Sequence, residues 1–207
     1  MEEPVIEKRV FEAASLDPVD RFKLMTGLIV PRPIGWIGSR SPDGLDNLAP
    51  FSFFNMVAGT PPTLLFTTGM TRRVKDTLAN VRATGVFTVN VVTDEVAEAM
   101  NATSGDYASE VNEFELAGVT KVEAGAVAAP MVAEAKANFE CEVSHIHEVG
   151  DGPSASVVFG EIQRIHVSEH LLDGTRIDLV GLKAVGRLAG PWYSRTADQF
   201  AMERPEA

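Results

Sequence analysis

The sequence predicts a mainly β fold, an antiparallel barrel with helices inserted between its strands. Three observations carry this. Short runs of β-branched and aromatic residues alternate with period two, turn residues punctuate them, and the helical stretches fall between groups of strands instead of after each one. With 207 residues, 45% of them hydrophobic, the chain is long enough for one domain with a sizeable core. No repeat, low-complexity tract or linker divides it, so residues 1–207 are read as a single domain.

In chain order, residues 27–30 and 34–40 are apolar runs separated by Pro31-Arg32-Pro33, and Ser41-Pro42-Asp43-Gly44 is a turn with proline at its second position. The aromatic run 47–57 reads as one strand-like segment closed by Pro61-Pro62, with Pro50 bending it or placing it at an edge. Residues 63–68 and 86–92 read as strands, the latter with Phe87, Val89 and Val91 on one face. A helix is expected over about 72–82, with Thr71 as N-cap and Gly85 as terminator; further helices are expected over 94–100 and 110–116, the last stopped by Gly118. Residues 138–144 alternate, placing Phe139, Cys141 and Val143 inward and Glu140, Glu142 and Ser144 outward. A turn at 150–153 precedes a long β segment at 155–167, and 176–188 reads as one more strand.

The formal charge of −11 argues against nucleic acid and anionic membranes. The charged opening Met-Glu-Glu-Pro-Val-Ile-Glu-Lys-Arg has no apolar run of a secretory leader, and no segment approaches the ~20 apolar residues of a membrane span. The single cysteine, Cys141, has no intrachain partner, so a reducing cytoplasm is expected.

Against this acidic background the island Thr71-Arg72-Arg73-Val74-Lys75-Asp76-Thr77 stands out. Cations at a helix start add to the positive end of the helix dipole, an unfavourable placement that an arriving anion relieves. Backbone N–H groups, guanidiniums, an ammonium and hydroxyls fit a small phosphorylated ligand; pairing with acids elsewhere would explain the same residues. The second informative stretch, residues 47–55, sets Asn47, Ser52 and Asn55 among apolar and aromatic neighbours, as a flat aromatic ligand or an ordinary core strand would require. Gly35-Trp36-Ile37-Gly38 fits close strand packing, and neither a dinucleotide-binding glycine fingerprint nor a phosphate-loop lysine motif is present. His145 and His147 lie two apart without a third ligand and fit edge or surface positions better than a metal; Cys141 fits a buried structural thiol. No nucleophile elbow or paired-carboxylate site is found, and no catalytic side chain is assigned.

Together, Pro31-Arg32-Pro33-Ile34-Gly35-Trp36-Ile37-Gly38-Ser39, Asn47-Leu48-Ala49-Pro50-Phe51-Ser52, Pro61-Pro62, Lys75-Asp76-Thr77-Leu78-Ala79-Asn80, Phe139-Glu140-Cys141 and Gly186-Arg187-Leu188 resemble the flavin reductase-like family of FMN-binding split barrels, which includes flavoredoxins and the reductases of two-component monooxygenases. The resemblance covers roughly residues 20–193. It implies a Greek-key split barrel that dimerises with FMN near the subunit boundary. Trp36, Ile37, Gly38 and Ser39 would line the flavin, Asn47, Ala49, Pro50 and Ser52 would meet its ring and ribityl chain, and Arg72, Lys75, Asp76 and Thr77 would hold its phosphate. Backbone N–H groups near 49–52 would face charge developing on the reduced ring. The Trp192-Tyr193 tail would pack near the flavin, the partner subunit or the surface. The expected activity is hydride transfer from NADH or NADPH to FMN, with an oxygenase or another electron acceptor as possible partner. A non-catalytic FMN-binding electron carrier and a purely structural homodimer are the alternatives.

Overall fold

The computed structural model describes residues 6–69, 74–150 and 155–205. Its strands are β1 (Gly35–Arg40), β2 (Asp46–Phe51), β3 (Phe54–Gly59), β4 (Pro62–Gly69), β5 (Val86–Val91), β6 (Lys121–Glu123), β7 (Pro130–Val132), β8 (Ala137–Val149), β9 (Ala155–Val167), β10 (Leu172–Asp173), β11 (Arg176–Ile177), β12 (Val185–Arg187) and β13 (Tyr193–Arg195). Its α-helices are α1 (Pro18–Leu28), α2 (Asp76–Thr84), α3 (Ala97–Ala102), α4 (Glu113–Ala117) and α5 (Leu179–Leu182). Seven strands form one sheet in the order β2-β1-β5-β8-β9-β4-β3, with every pairing antiparallel.

The two end strands of this sheet, β2 and β3, are consecutive in the chain and separated only by Ser52 and Phe53. The sheet therefore curls until its ends meet. The Phe51 ring of β2 lies 5.0 Å from that of Phe66 in β4, and Thr67 N–H donates to the Phe53 carbonyl at 2.8 Å. The result is an antiparallel barrel split along the β2–β3 seam, with helices inserted, as the sequence predicts.

Period-two alternation along β1 feeds two cores. Trp36 points to a cluster with Leu48, Met100, Phe114 and Val132, whereas Ile37 points to one with Phe66, Phe87, Val89 and Cys141. Burying each such large side chain contributes about 1.5–3 kcal/mol. Because both faces are covered here, Thr88 and Asn90 of β5 are also fully buried. Asn90 is satisfied: its amide donates to the Trp36 carbonyl at 2.9 Å and its oxygen accepts from Val132 N–H at 2.8 Å. Close packing needs the β1 glycines. A Cβ on Gly38 would sit 2.2 Å from the Pro130 carbonyl oxygen, and one on Gly35 would sit 2.6 Å from the Phe54 ring.

Several expectations are corrected. Residues 27–30 are not a strand: α1 runs through Leu28, started by the Asp17 carboxylate accepting from Val19 N–H at 2.9 Å with Pro18 at the first helical position. The run 47–57 is two strands, because the chain turns at Ser52–Phe53. α2 begins at Asp76, so Lys75 occupies the N-cap in place of Thr71; Gly85 ends it at φ 72° as expected. Residues 176–188 break into β11, α5 and β12. Glu140 does not face solvent: it is fully buried, because the loop at 124–129 folds over it. The predicted turn at 150–153 lies mostly outside the described residues.

Candidate functional site

Those predicted site residues that are described lie on the β1–β2 hairpin, the turn just after it and the start of α2. Trp36 and Ile37 are wholly enclosed, and the Trp36 indole N–H donates to Thr103 Oγ1 at 2.8 Å. Gly38 packs on Pro130. These three support the wall from behind. A buried polar ladder links the hairpin to α2: the Asn47 amide donates to Thr77 Oγ1 at 2.9 Å and to Ser39 Oγ at 3.3 Å, and the Asn80 amide donates to Ser39 Oγ at 3.1 Å. Thr77 is 1% exposed, so its hydroxyl is committed to Asn47. Ala49, Pro50 and Ser52 are half-buried along the outer edge of β2. That edge offers few donors, since Leu48 N–H donates to Glu113 Oε2 at 3.1 Å and Pro50 has no N–H.

At the start of α2 the N-cap residue, Lys75, makes no side-chain capping bond to the first turn. Lys75 lies 3.3 Å from Asp106, and Ser109 Oγ donates to the Asp76 carboxylate at 2.7 Å. Thr71, Arg72 and Arg73 lie outside the described residues.

Hollows open along the seam. One of about 220 Å³ is lined by Pro50, Ser52, Asn101, Ser104, Arg187 and Tyr193. A second, of about 370 Å³, shares Pro50, Ser52 and Arg187 and continues along Phe51, Thr67 and Gly69. A more apolar one of about 460 Å³ lies between α1 and β3, with Phe22, Met25, Phe53 and Phe54 on its walls. Arg32 stands between them, 7% exposed, and ties three segments together. Its guanidinium donates to the Thr26 and Ile29 carbonyls at 2.8 and 2.6 Å, to Leu188 at 2.9 Å, and to Ser52 Oγ at 3.4 Å. Burial, and then the Arg187 charge, hold its pKa below the ordinary arginine value.

A model of the flavin reductase like domain matches residues 26–180, the stretch that contains the seven-stranded barrel sheet and the β2 wall of the seam. The chain belongs to the flavin reductase like domain family. It is 42% identical over 175 residues to an uncharacterised protein of Aquifex aeolicus, covering 83% of this chain and 88% of that one. Among solved structures it resembles nitrilotriacetate monooxygenase component B from Bacillus cereus, with TM-score 0.93 and 32% identity over 96% of this chain and 100% of that one. It also resembles the 2-nitrobenzoate 2-nitroreductase NbaA of Pseudomonas fluorescens, with TM-score 0.87 and 30% identity over 95% and 96% of the two chains. Family membership places it among flavin-linked oxidoreductases.

For a flavin reductase-like protein the seam offers what a flat, partly polar ring needs: apolar walls, few donors and room. Sequence reasoning quoted Arg32, Arg187 and Tyr193 without giving the arginines a site role, and it did not name Asn101 or Ser104. The available signal was an arginine held between two prolines in an apolar stretch. Trp192 is 70% exposed, whereas Tyr193 faces the seam under Arg187. His145 and His147 are exposed on β8 with ring centres 6.3 Å apart, and among the described residues no three metal-ligating side chains gather. Cys141 is fully buried, and burial, aided by the Glu140 charge, pushes its thiol up to about 12. Among the described residues no helix is long and apolar enough to cross a membrane.

Proposed function

We propose that the chain binds FMN along the β2 seam and reduces it with NADH or NADPH, acting as a homodimer in the cytoplasm and handing electrons to an oxygenase or another acceptor. The observation that carries this reading is that the family-matched segment holds the barrel and the β2 wall of an open, largely apolar seam, and that β2 is tied at Asn47 to the first turn of α2. FMN supplies, when bound, a ring that accepts hydride from a dihydronicotinamide. The chain's own residues bind, orient and shield. Pro50 and Ala49 present apolar surface, and Ser52 offers a hydroxyl in weak contact with Arg32 Nε at 3.4 Å. Trp36, Ile37 and Gly38 stiffen that wall from behind, and Ser39 and Asn47 lock it to α2. Lys75, the N–H groups of Asp76 and Thr77, and Arg72 hold the phosphate; the Asp76 carboxylate would repel it and is turned to Ser109.

Dimerisation is supported by apolar surface beside the seam. In α1, Phe22 and Met25 are 58% and 54% exposed, and in β3 Met56 is 73% exposed. A second subunit laid there would roof the seam and exclude water. The test is anaerobic titration of FMN-loaded protein with NADH and with NADPH. Loss of the oxidised-flavin visible band supports the reductase reading; an unchanged band with tight FMN binding leaves only an electron carrier.

A further inference from the structure

Arg32 and Arg187 face each other directly. They form an antiparallel bridge, with Arg32 N–H donating to the Arg187 carbonyl at 3.0 Å and Arg187 N–H donating to the Arg32 carbonyl at 2.8 Å. Side chains of residues so paired lie on the same side, and like charges placed there are destabilising. Neither guanidinium has a carboxylate partner among the described residues. In a chain with 29 acidic and 18 basic residues an acid was the easy remedy, and among the described residues none is placed on either guanidinium.

The two arginines differ in how much they are already occupied. Arg32 is buried, and three backbone carbonyls consume most of its donors, so its work is to tether α1 and the C-terminal segment to the seam. Arg187 is half-buried. One of its amino groups donates to the Gly190 carbonyl at 2.6 Å, and its guanidinium stacks 4.5 Å from the Tyr193 ring centre, leaving the remaining donors toward the hollows it lines. Tyr193 is in turn fixed by its hydroxyl donating to Asn101 Oδ1 at 3.0 Å. The guanidinium is thus held in one plane at the meeting point of two hollows, beside Ser52.

We propose that Arg187 recognises an oxyanion, a carboxylate or a phosphate, on the small molecule that shares the seam with the flavin, and so selects anionic electron donors or acceptors. This rests on the flavin reading, in which Lys75 and α2 hold the flavin phosphate at the other end. A planar fork pre-oriented by stacking suits bidentate contact with either anion, and an arriving negative charge relieves the Arg32–Arg187 repulsion. The hollow of about 220 Å³ holds a small ring or a single phosphate-bearing arm, not a polymer.

The experiment is calorimetric titration of purified wild-type protein and of Arg187→Gln and Arg187→Lys with benzoate, with its neutral analogue benzamide, and with inorganic phosphate. Benzoate binding that benzamide does not match, weakened at least about tenfold in Arg187→Gln and partly restored in Arg187→Lys, establishes a carboxylate site. The same pattern with phosphate alone establishes the site for a phosphate-bearing donor. Equal binding of benzoate and benzamide to the wild type, affinities unchanged in Arg187→Gln, or no binding of either anion overturns the proposal, and the first and last of these need no variant. A separate FMN titration of the wild type keeps the two readings apart: failure there defeats the flavin assignment and leaves the anion result standing.

Discussion

Lys75→Ala tests the phosphate end of the proposed flavin site. Lys75 sits at the N-cap of α2 with its side chain 28% exposed, 3.3 Å from an Asp106 that is 62% exposed. A charge-assisted contact to phosphate is worth about 1.5–3 kcal/mol. From this the Asp106 pairing must be subtracted, because the phosphate competes with it; an exposed pair of this kind is worth about 0–1 kcal/mol. Taken near the middle of each range, the net loss for FMN is about 1–2 kcal/mol, a roughly 5- to 30-fold weaker affinity. Riboflavin lacks the phosphate and has nothing to lose. Fluorescence quenching of each flavin against increasing protein gives both constants in one assay. The variant should weaken FMN 5- to 30-fold, by that estimate, and riboflavin by less than about twofold. Equal weakening of the two flavins refutes the reasoning, because the lysine would then support the fold of the site and not the phosphate.

Gly38→Ala forces a Cβ to within 2.2 Å of the Pro130 carbonyl, a backbone atom that cannot rotate away; we expect about 1–3 kcal/mol of destabilisation, read as a melting shift of about 2–12 °C. Cys141 should resist thiol reagents in the native protein and react on unfolding, since its thiol is buried and raised to about 12; fast native labelling would contradict this. Glu140 is desolvated, yet the His166 contact at 2.7 Å and the N–H groups of Ala126, Gly125 and Val127 outweigh that and hold its pKa below the ordinary glutamate value. Its stabilising effect is therefore full above the unfolded glutamate pKa and lost as pH falls through the lowered folded value. Glu140→Gln should melt lower at neutral pH by about 2–3 kcal/mol equivalent and flatten the acid limb of the pH–stability curve. Met56→Lys combined with Phe22→Lys should shift the sedimentation of the protein toward monomer; an unchanged species would remove α1 and β3 from the subunit contact.

Much of the barrel was legible because its signals are local. The 155–167 segment coincides with β9, Gly85 and Gly118 end their helices in the left-handed region, and Pro50 sits on an end strand of the sheet where its missing donor does no harm. The misses have physical causes. α1 shows no period because none of its residues is buried, so burial never selected an apolar stripe; only the Asp17-Pro18 start marked it. Glu140 obeys the alternation of β8 but is buried by a loop from elsewhere, which period-two reasoning cannot see. The helix start was placed early because hydroxyls and cations mimic a cap, whereas Lys75 still has extended backbone angles. The facing of Arg32 and Arg187 depends on a bridge between distant segments, so only the three-dimensional arrangement shows it.

The same seam solves a problem of the sheet and creates the site. A curled sheet that does not close leaves an edge, and an edge with free N–H groups invites another strand. On β2 the Leu48 N–H is taken by Glu113, and position 50 has no N–H. Two successive outward positions of this edge thus offer no free N–H, which disfavours strand pairing there, yet its apolar wall remains open between Phe51 and Arg187. A ring that stacks gains from such a wall where a peptide does not. On the proposed reading, polar recognition falls to the two ends, Lys75 with the α2 start on one side and Arg187 on the other. An arrangement of this kind binds an extended molecule through its charged ends and leaves its planar middle in apolar surroundings. Replacing Pro50 by a residue with an N–H, as in Pro50→Val, would restore a donor to the edge and should promote self-association before it impairs flavin binding.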